Sequence, residues 1–208
     1  MRYYRIPDET VRRLPVYLWG ATLFSRQGAA RSISSHNLAA LVGVNAWQIR
    51  KDFSYFGDFG TPGVGYNIAT LIKHVKKILK LEAVQKAALV GVGNLGSALL
   101  AFPGFGVYSF QIAAAFDVDR RKIGKKKSGV VVEDAAKLHI LKERKIRLGI
   151  IAVPEEAAQG ITDKLVHAGV KGILNFSSRY ISVPKKVKVI NIDIAMDLAR
   201  LPYYVPSD

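Results

Sequence analysis

The chain has 208 residues and a net charge of +15; half of the residues are hydrophobic and 23% are charged, which fits a folded protein and excludes a disordered one. Cysteine is absent, which excludes disulfides and thiolate metal sites, and the opening MRYYRIPDETVRR lacks the apolar stretch of a secretion signal, so a cytoplasmic location is expected. The length suits one large domain or two small ones, and the basic excess is denser before residue 80 than after it, so nucleic acid or an anionic membrane surface becomes a plausible partner.

Up to about residue 82 the pattern is helical. Asp8 is expected to cap a helix beginning at Glu9, which Pro15 interrupts or restarts, with Leu14, Tyr17, Leu18, Ala21, Leu23 and Phe24 as its apolar side. Ser34 to Leu41 reads as a short helix, Gly43 as a turn, and Asn45 to Tyr55 as a second helix, with Asn45 its cap and Gln48 the capping-box partner. Helix, glycine turn, helix is the order of a helix-turn-helix. On the second helix Trp47, Ile49, Phe53 and Phe56 are expected to pack partly inward, leaving Gln48, Arg50, Lys51, Ser54 and Tyr55 as polar contacts. Arg pairs with guanine, Gln with adenine and hydroxyls with phosphate, so this face has the chemistry of a DNA reader. The stretch GDFGTPGVGY then suits a tight hairpin, a wing anchored by Phe59 and Tyr66 that lies along a minor groove or the backbone. A small packing module with incidental charge would share this pattern. KHVKKILKLEAVQK is the outgoing helix and linker, its lysines a solvated face, which puts a boundary near Leu81 or Glu82.

From Ala87 to Phe116 there is no charged side chain, yet the run is no membrane span, because Gly91, Gly93, Gly96, Pro103, Gly104 and Gly106 interrupt it. Ala87 to Val92 reads as a buried strand, Asn94 to Phe102 as a helix, and Gln111 to Phe116 as a second strand ending at Asp117. The alternation continues with a strand at Val130 to Val132, an amphipathic helix at Glu133 to Arg144, and a strand at Ile146 to Val153 stopped by Pro154. A helix at Glu155 to His167 and strands at Gly172 to Phe176 and Val187 to Ile192 complete it. Strands alternating with helices predict a doubly wound parallel sheet, an α/β fold of the Rossmann kind.

The glycines form Gly91-x-Gly93-x-x-Gly96 between a strand and a helix, where backbone N–H groups and the positive helix end receive a pyrophosphate. Asp117, at the end of the next strand, is placed to accept the ribose hydroxyls of adenosine, which favours NADH and NAD+ over their 2′-phosphorylated forms, although Arg120, Arg121 and Lys122 follow closely. The four histidines (His36, His74, His139 and His167) have no catalytic constellation around them and no cluster has metal-ligand spacing, so a nucleotide bound without chemistry, and no metal, are expected. Two other readings remain open at this level: an NAD-dependent oxidoreductase with a basic N-terminal oligomerisation module, and a nucleotide- or CoA-binding subunit of a larger assembly.

Taken together, QIRKDFSYFGDFGTPGVGY, VGVGNLGSAL, FDVD, AVPEEAAQ and GVKGILNFSS closely resemble the bacterial redox-sensing transcriptional repressors of the Rex family, from about Ile6 to Leu201. The resemblance implies a homodimer with no membrane association: a winged-helix domain over 1–82 that reads double-stranded, pseudopalindromic operator DNA, a Rossmann-like domain over 83–192 that binds NADH or NAD+, and a C-terminal helix and tail over 193–208 exchanged between subunits. NADH is then the signal for release from DNA. By matching motif, Asn45, Gln48, Arg50, Lys51, Ser54, Tyr55 and Thr61 would face DNA. Gly91, Val92, Gly93, Asn94, Leu95, Gly96 and Asp117 would seat the adenosine and pyrophosphate, and Val153, Pro154, Asn175 and Phe176 would lie near the nicotinamide, with Asp193 beginning the exchanged helix near the partner's cofactor. The chain departs from the family pattern at Trp19, where an Arg would pair with the aspartate matching Asp193, and at Phe102, where a Tyr would reach the same aspartate. Pro62 replaces a wing cation, Pro202 and Pro206 shorten the last helix, and Ile194 stands where an aromatic can occur. These departures imply that nucleotide and DNA binding persist while their coupling is weakened or rewired.

Overall fold

The structure is a computed structural model that describes residues 6–28, 30–57 and 60–205. Phe59 and Pro206, singled out above, lie outside the described residues. The chain divides into two compact units, Met1–Ala83 and Val84–Asp208.

In the first unit, α1 (Asp8–Arg26) starts one residue earlier than expected: Pro7 holds the cap position without a side-chain bond, and its carbonyl accepts from Thr10 and Val11. Asp8 is therefore the first helical residue and not the cap. Pro15 does not break the helix either. Its ring removes one N–H, but Leu14, Tyr17, Leu18 and Ala21 on either side of it are all buried, and that shared burial carries the helix through. A two-residue β1 (Ser32–Ile33) precedes α2 (Ser35–Val42), which Ser34 caps by accepting from the Asn37 N–H and which Gly43 ends in the left-handed region at φ 66°. Asn45 then caps α3 (Ala46–Ser54) by accepting from the Trp47 N–H at 2.8 Å.

Among the described residues the wing closes in a tight turn. Thr61 and Gly65 bridge, and both Val64 and Gly65 donate to the Thr61 carbonyl. The chain returns as β2 (Tyr66–Asn67), antiparallel to β1, and enters α4 (Ile68–Ile78). Gly65 is required where it stands: at φ +97° a Cβ would sit 2.5 Å from the Ile33 carbonyl oxygen. Phe53 fixes α3 to the core, its ring edge-on to Tyr17 at 5.3 Å and to Tyr66 at 5.2 Å.

The second unit is built on a seven-stranded sheet. β3 (Gln85–Val90) is central, followed in the chain by α5 (Asn94–Ala101), a short α6 (Gly104–Val107) and β4 (Phe110–Asp117). Next come β5 (Lys126–Lys127), β6 (Val130–Asp134), β7 (Leu148–Ile151), α7 (Glu155–His167), β8 (Gly172–Asn175) and β9 (Lys188–Asn191), then a terminal α8 (Ile194–Ala199). The spatial order β5-β6-β4-β3-β7-β8-β9 is parallel except at the β5 edge, and the order reverses at β3, which is the switch point of a dinucleotide-binding sheet. Ala88, Val90, Phe116 and Ile151 bury one face with Leu138, Ile161 and Leu165, while Leu89 and Ile150 bury the other with Leu99, Leu100 and Phe105.

Three expected elements change. The helix expected over Glu133 to Arg144 is absent: Glu133 and Asp134 extend β6 by pairing with Phe116 and Asp117, and the chain then enters a 3₁₀ turn at Ala135–Leu141. Asp134 starts that turn by accepting from the Ala136 N–H, and the buried Ala135, Leu138 and Leu141 recur every third residue, the period of a 3₁₀ helix. α5 stops at Ala101 because Phe102 precedes Pro103 and is extended. β7 is also shorter than the apolar run from Ile146 to Val153.

Candidate nucleotide seat and nucleic-acid interface

The turn after β3 shows why three glycines are spaced as they are. Gly91 has φ +94°, and a Cβ there would lie 2.3 Å from the Ala152 carbonyl oxygen; at Gly96 a Cβ would lie 1.8 Å from the Gly91 oxygen. Neither position accepts a side chain. Gly93 differs, since nothing lies within 4 Å of the place a Cβ would take. It occupies the cap position of α5 without a side-chain bond, with Gly93, Asn94 and Leu95 all exposed. The first turn of α5 is thus exposed, has no side-chain cap and carries the partial positive charge of a helix start, which suits an anionic group.

Asp117 is built into the same turn. Its Oδ2 accepts from the Val92 N–H at 2.8 Å and from Lys122 Nζ at 3.0 Å, and its Oδ1 from the Asp119 N–H at 2.8 Å. Burial would raise its pKa, but the Asp119 amide, Lys122 and the Val92 amide outweigh that and lower it. With about four acceptor sites on a carboxylate, three of them engaged, room remains for a further donor. Lys127 Nζ donates to Ser97 Oγ at 2.9 Å, one helical turn from Gly93, whose carbonyl accepts the Ser97 N–H.

The other expected nucleotide residues are spread over the strand ends. Val153 is half-buried beside Gly91, and Pro154 is exposed at the start of α7. Asn175 is fully buried: its Nδ2 donates to the Arg179 carbonyl and to Asn191 Oδ1, and its Oδ1 accepts from the Ser177 amide and hydroxyl. Its side chain therefore shapes the loop after β8. Phe176 packs among the apolar residues on the α5 side of the sheet. Asp193 caps α8 by accepting from the Met196 N–H at 3.0 Å. Ile194, Met196 and Leu198 on α8 are exposed, as are Leu201 and Tyr203 in the 3₁₀ turn that follows.

In the first unit, α3 is held by a buried carboxylate. Asp52 accepts from Arg13 Nε at 2.6 Å and Nη2 at 2.8 Å, from the Tyr17 hydroxyl, from Thr10 Oγ1 at 2.9 Å and from Gln48 Nε2 at 2.8 Å. Burial alone would raise the Asp52 carboxyl, but these donors together hold it at about 2.

This network rearranges the expected reading face. Gln48 makes no capping box, because its amide is turned to Asp52. Arg50 donates to Ser35 Oγ at 2.8 Å, in a cleft of about 550 Å³ between α3, the start of α2 and the wing, which Ser54 and Thr61 also line. Ser54 donates back to the Lys51 carbonyl, and the Asn45 oxygen is engaged as a cap. Lys51 is exposed, Tyr55 half-buried, and Thr61 and Pro62 exposed on the wing. Trp47, expected to turn inward, is 57% exposed, because Ala46, Ile49, Asp52 and Phe53 fill the inward face instead. Among the described residues no group of three or more His, Asp or Glu could hold a metal, and no helix is long and apolar enough to cross a membrane.

Two family models match the chain, one described as "CoA binding domain" over residues 82–179 and one as "Putative DNA-binding protein N-terminus" over residues 5–54. The chain is 44% identical over 209 aligned positions, covering 100% of both chains, to the redox-sensing transcriptional repressor Rex of Carboxydothermus hydrogenoformans. It is similar, at 34% identity and a TM-score of 0.89, to the solved structure "Crystal structure of RSP in complex with beta-NAD+ and operator DNA", over 96% of this chain and 92% of that one. A second solved structure, "Crystal structure of RSP in complex with beta-NADH", aligns at 32% identity and a TM-score of 0.85, over 96% of this chain and 94% of that one.

Proposed function

The chain belongs to the Rex family of redox-sensing transcriptional repressors, and from that premise we propose that it binds a pseudopalindromic operator as a homodimer and holds it less tightly when NADH replaces NAD+ in its Rossmann-like unit. The observation that carries this reading is the glycine turn. Gly91 and Gly96 are closed to any side chain while Gly93 opens onto solvent beside the uncapped first turn of α5. A turn packed so tightly for structural reasons alone would not need its middle glycine open. The winged-helix unit supplies the DNA contact through Lys51, Arg50 and the Thr61 turn, and the exposed apolar residues of α8 supply the surface exchanged with a second copy. The nucleotide acts as a signal and not as a hydride donor, in the cytoplasm. The oxidoreductase reading is not favoured, since the relatives are named as repressors.

Asp117 accepts a ribose hydroxyl and the amides of Asn94 and Leu95 face the pyrophosphate, while Val153, Pro154 and Phe176 border the nicotinamide. In this chain the coupling between the two sites is weakened or rewired, because Trp19 and Phe102, 44% and 54% exposed, carry no charge or hydroxyl where the resemblance implies an Arg and a Tyr. Allosteric coupling is ordinarily worth about 1–3 kcal/mol, roughly 5- to 150-fold in affinity. The test is a titration of operator duplex at fixed total nucleotide and varied NADH/NAD+ ratio. A loss of affinity with NADH of less than about fivefold is expected. A larger loss would show that contacts other than those at Trp19 and Phe102 carry the coupling, and indifference to any duplex at low salt would refute the repressor reading.

A further inference from the structure

Most polar side chains expected to read DNA from α3 are engaged within the unit: Gln48 with Asp52, Arg50 with Ser35, and Ser54 with the Lys51 carbonyl. Trp47 is presented in the opposite way. It is the second residue of α3, 57% exposed, with the Lys51 ammonium 4.8 Å from its ring centroid. A single exposed apolar side chain needs no explanation by itself. What distinguishes this one is its place, in the first turn of the second helix of a helix-turn-helix, flanked by the exposed cations Arg50 and Lys51 in a chain of net charge +15.

The N-terminal residues of such a helix are the ones that meet base edges in the major groove. The apolar feature of that groove is the C5-methyl of thymine. An indole face with a cation beside it is complementary to a thymine methyl next to guanine O6 and N7, which accept from an ammonium. On the reading that this unit binds duplex DNA, we propose that Trp47 is a specificity-determining residue whose indole packs on a thymine methyl in the major groove.

The test uses the full chain and a duplex it selects from a randomised pool at low salt. Each thymine of the selected site is replaced in turn by deoxyuridine, which removes the methyl and nothing else. Binding of the unaltered chain should fall roughly fourfold at one position per half-site, the equivalent of burying about one methyl-sized group at ~0.8 kcal/mol. Trp47→Ala should bind the thymine duplex more weakly and show no further loss at that position, while Trp47→Phe should remain sensitive. Trp47 is solvent-exposed, so both variants should fold. Indifference of the unaltered chain to every deoxyuridine, or equal sensitivity in Trp47→Ala, would overturn the assignment while leaving DNA binding intact. Failure to select any duplex would overturn the DNA-binding reading and this proposal with it.

Discussion

Arg13 grips Asp52 with two nitrogens, Nε at 2.6 Å from Oδ2 and Nη2 at 2.8 Å from Oδ1, and so ties α1 to α3 through a carboxylate that is completely buried. Breaking a buried pair by removing one partner typically costs about 3–5 kcal/mol, because the other charge is left without compensation. Three further donors remain on Asp52, so Arg13→Leu is expected at the low end, about 3 kcal/mol. Chemical denaturation of the variant measures it. A loss below about 1 kcal/mol, the range of a surface ion pair, would show that the pair adds little to what Tyr17, Thr10 and Gln48 already supply.

The same carboxylate sets an acid limit. Its pKa is lowered from 3.8 to about 2, so its ionisation stabilises the folded unit fully above about pH 4 and ceases to do so as pH falls through about 2. The contribution is roughly 2 kcal/mol. Asp52→Asn should therefore be less stable than the unaltered chain at pH 7 and should lose less on acidification between pH 4 and pH 2. Parallel stability curves for the two over that interval would contradict the depressed value.

Much of this arrangement could be read from local chemistry, and the part that could not has a single origin. Ser34, Gly43 and Asn45 act through their own backbone neighbours, so the two helices and their turn were legible, as was the glycine spacing at Gly91, Gly93 and Gly96. The facing of α3 was legible at Ile49 and Phe53, which are buried as expected, but not at Trp47. Trp47, expected inward, is exposed and Asp52 is buried instead, because Thr10, Arg13 and Tyr17 bring donors from far along the chain to the carboxylate. Gln48 follows Asp52 and leaves its expected cap. After Val132 an amphipathic stretch suits a longer helix, but Asp134 caps a tighter 3₁₀ turn whose buried residues recur every third position.

The glycine turn separates ligand contact from folding. Gly93→Ala adds a methyl where nothing lies within 4 Å and φ is negative, so folding should be unchanged, within about 1 kcal/mol of the unaltered chain. NADH binding, followed by nucleotide fluorescence, should nevertheless weaken tenfold or more if phosphate approaches that atom. Gly96→Ala places a methyl 1.8 Å from the Gly91 oxygen and should destabilise the unit whether or not nucleotide is present. Unaltered NADH affinity in Gly93→Ala would move the pyrophosphate away from this turn.

Trp19 offers the most direct test of how nucleotide state reaches DNA. The side chain stands on the exposed face of α1, two residues beyond the buried Tyr17, so an arginine there is accommodated without disturbing the core. If, as the resemblance implies, an Arg at this position pairs with the aspartate matching Asp193 and so carries the coupling, Trp19→Arg restores one charged partner. The difference between operator affinity with NAD+ and with NADH should then grow by about 1–3 kcal/mol, roughly 5- to 150-fold, the ordinary range of an allosteric link. Linkage requires the reciprocal effect, in which operator DNA shifts the preference between NADH and NAD+ toward NAD+ by the same factor. Asp193→Asn in the Trp19→Arg background should abolish the gain if the two side chains meet. A gain that survives Asp193→Asn would assign it to a contact of Arg with some other group, and no gain at all would place the coupling outside α1.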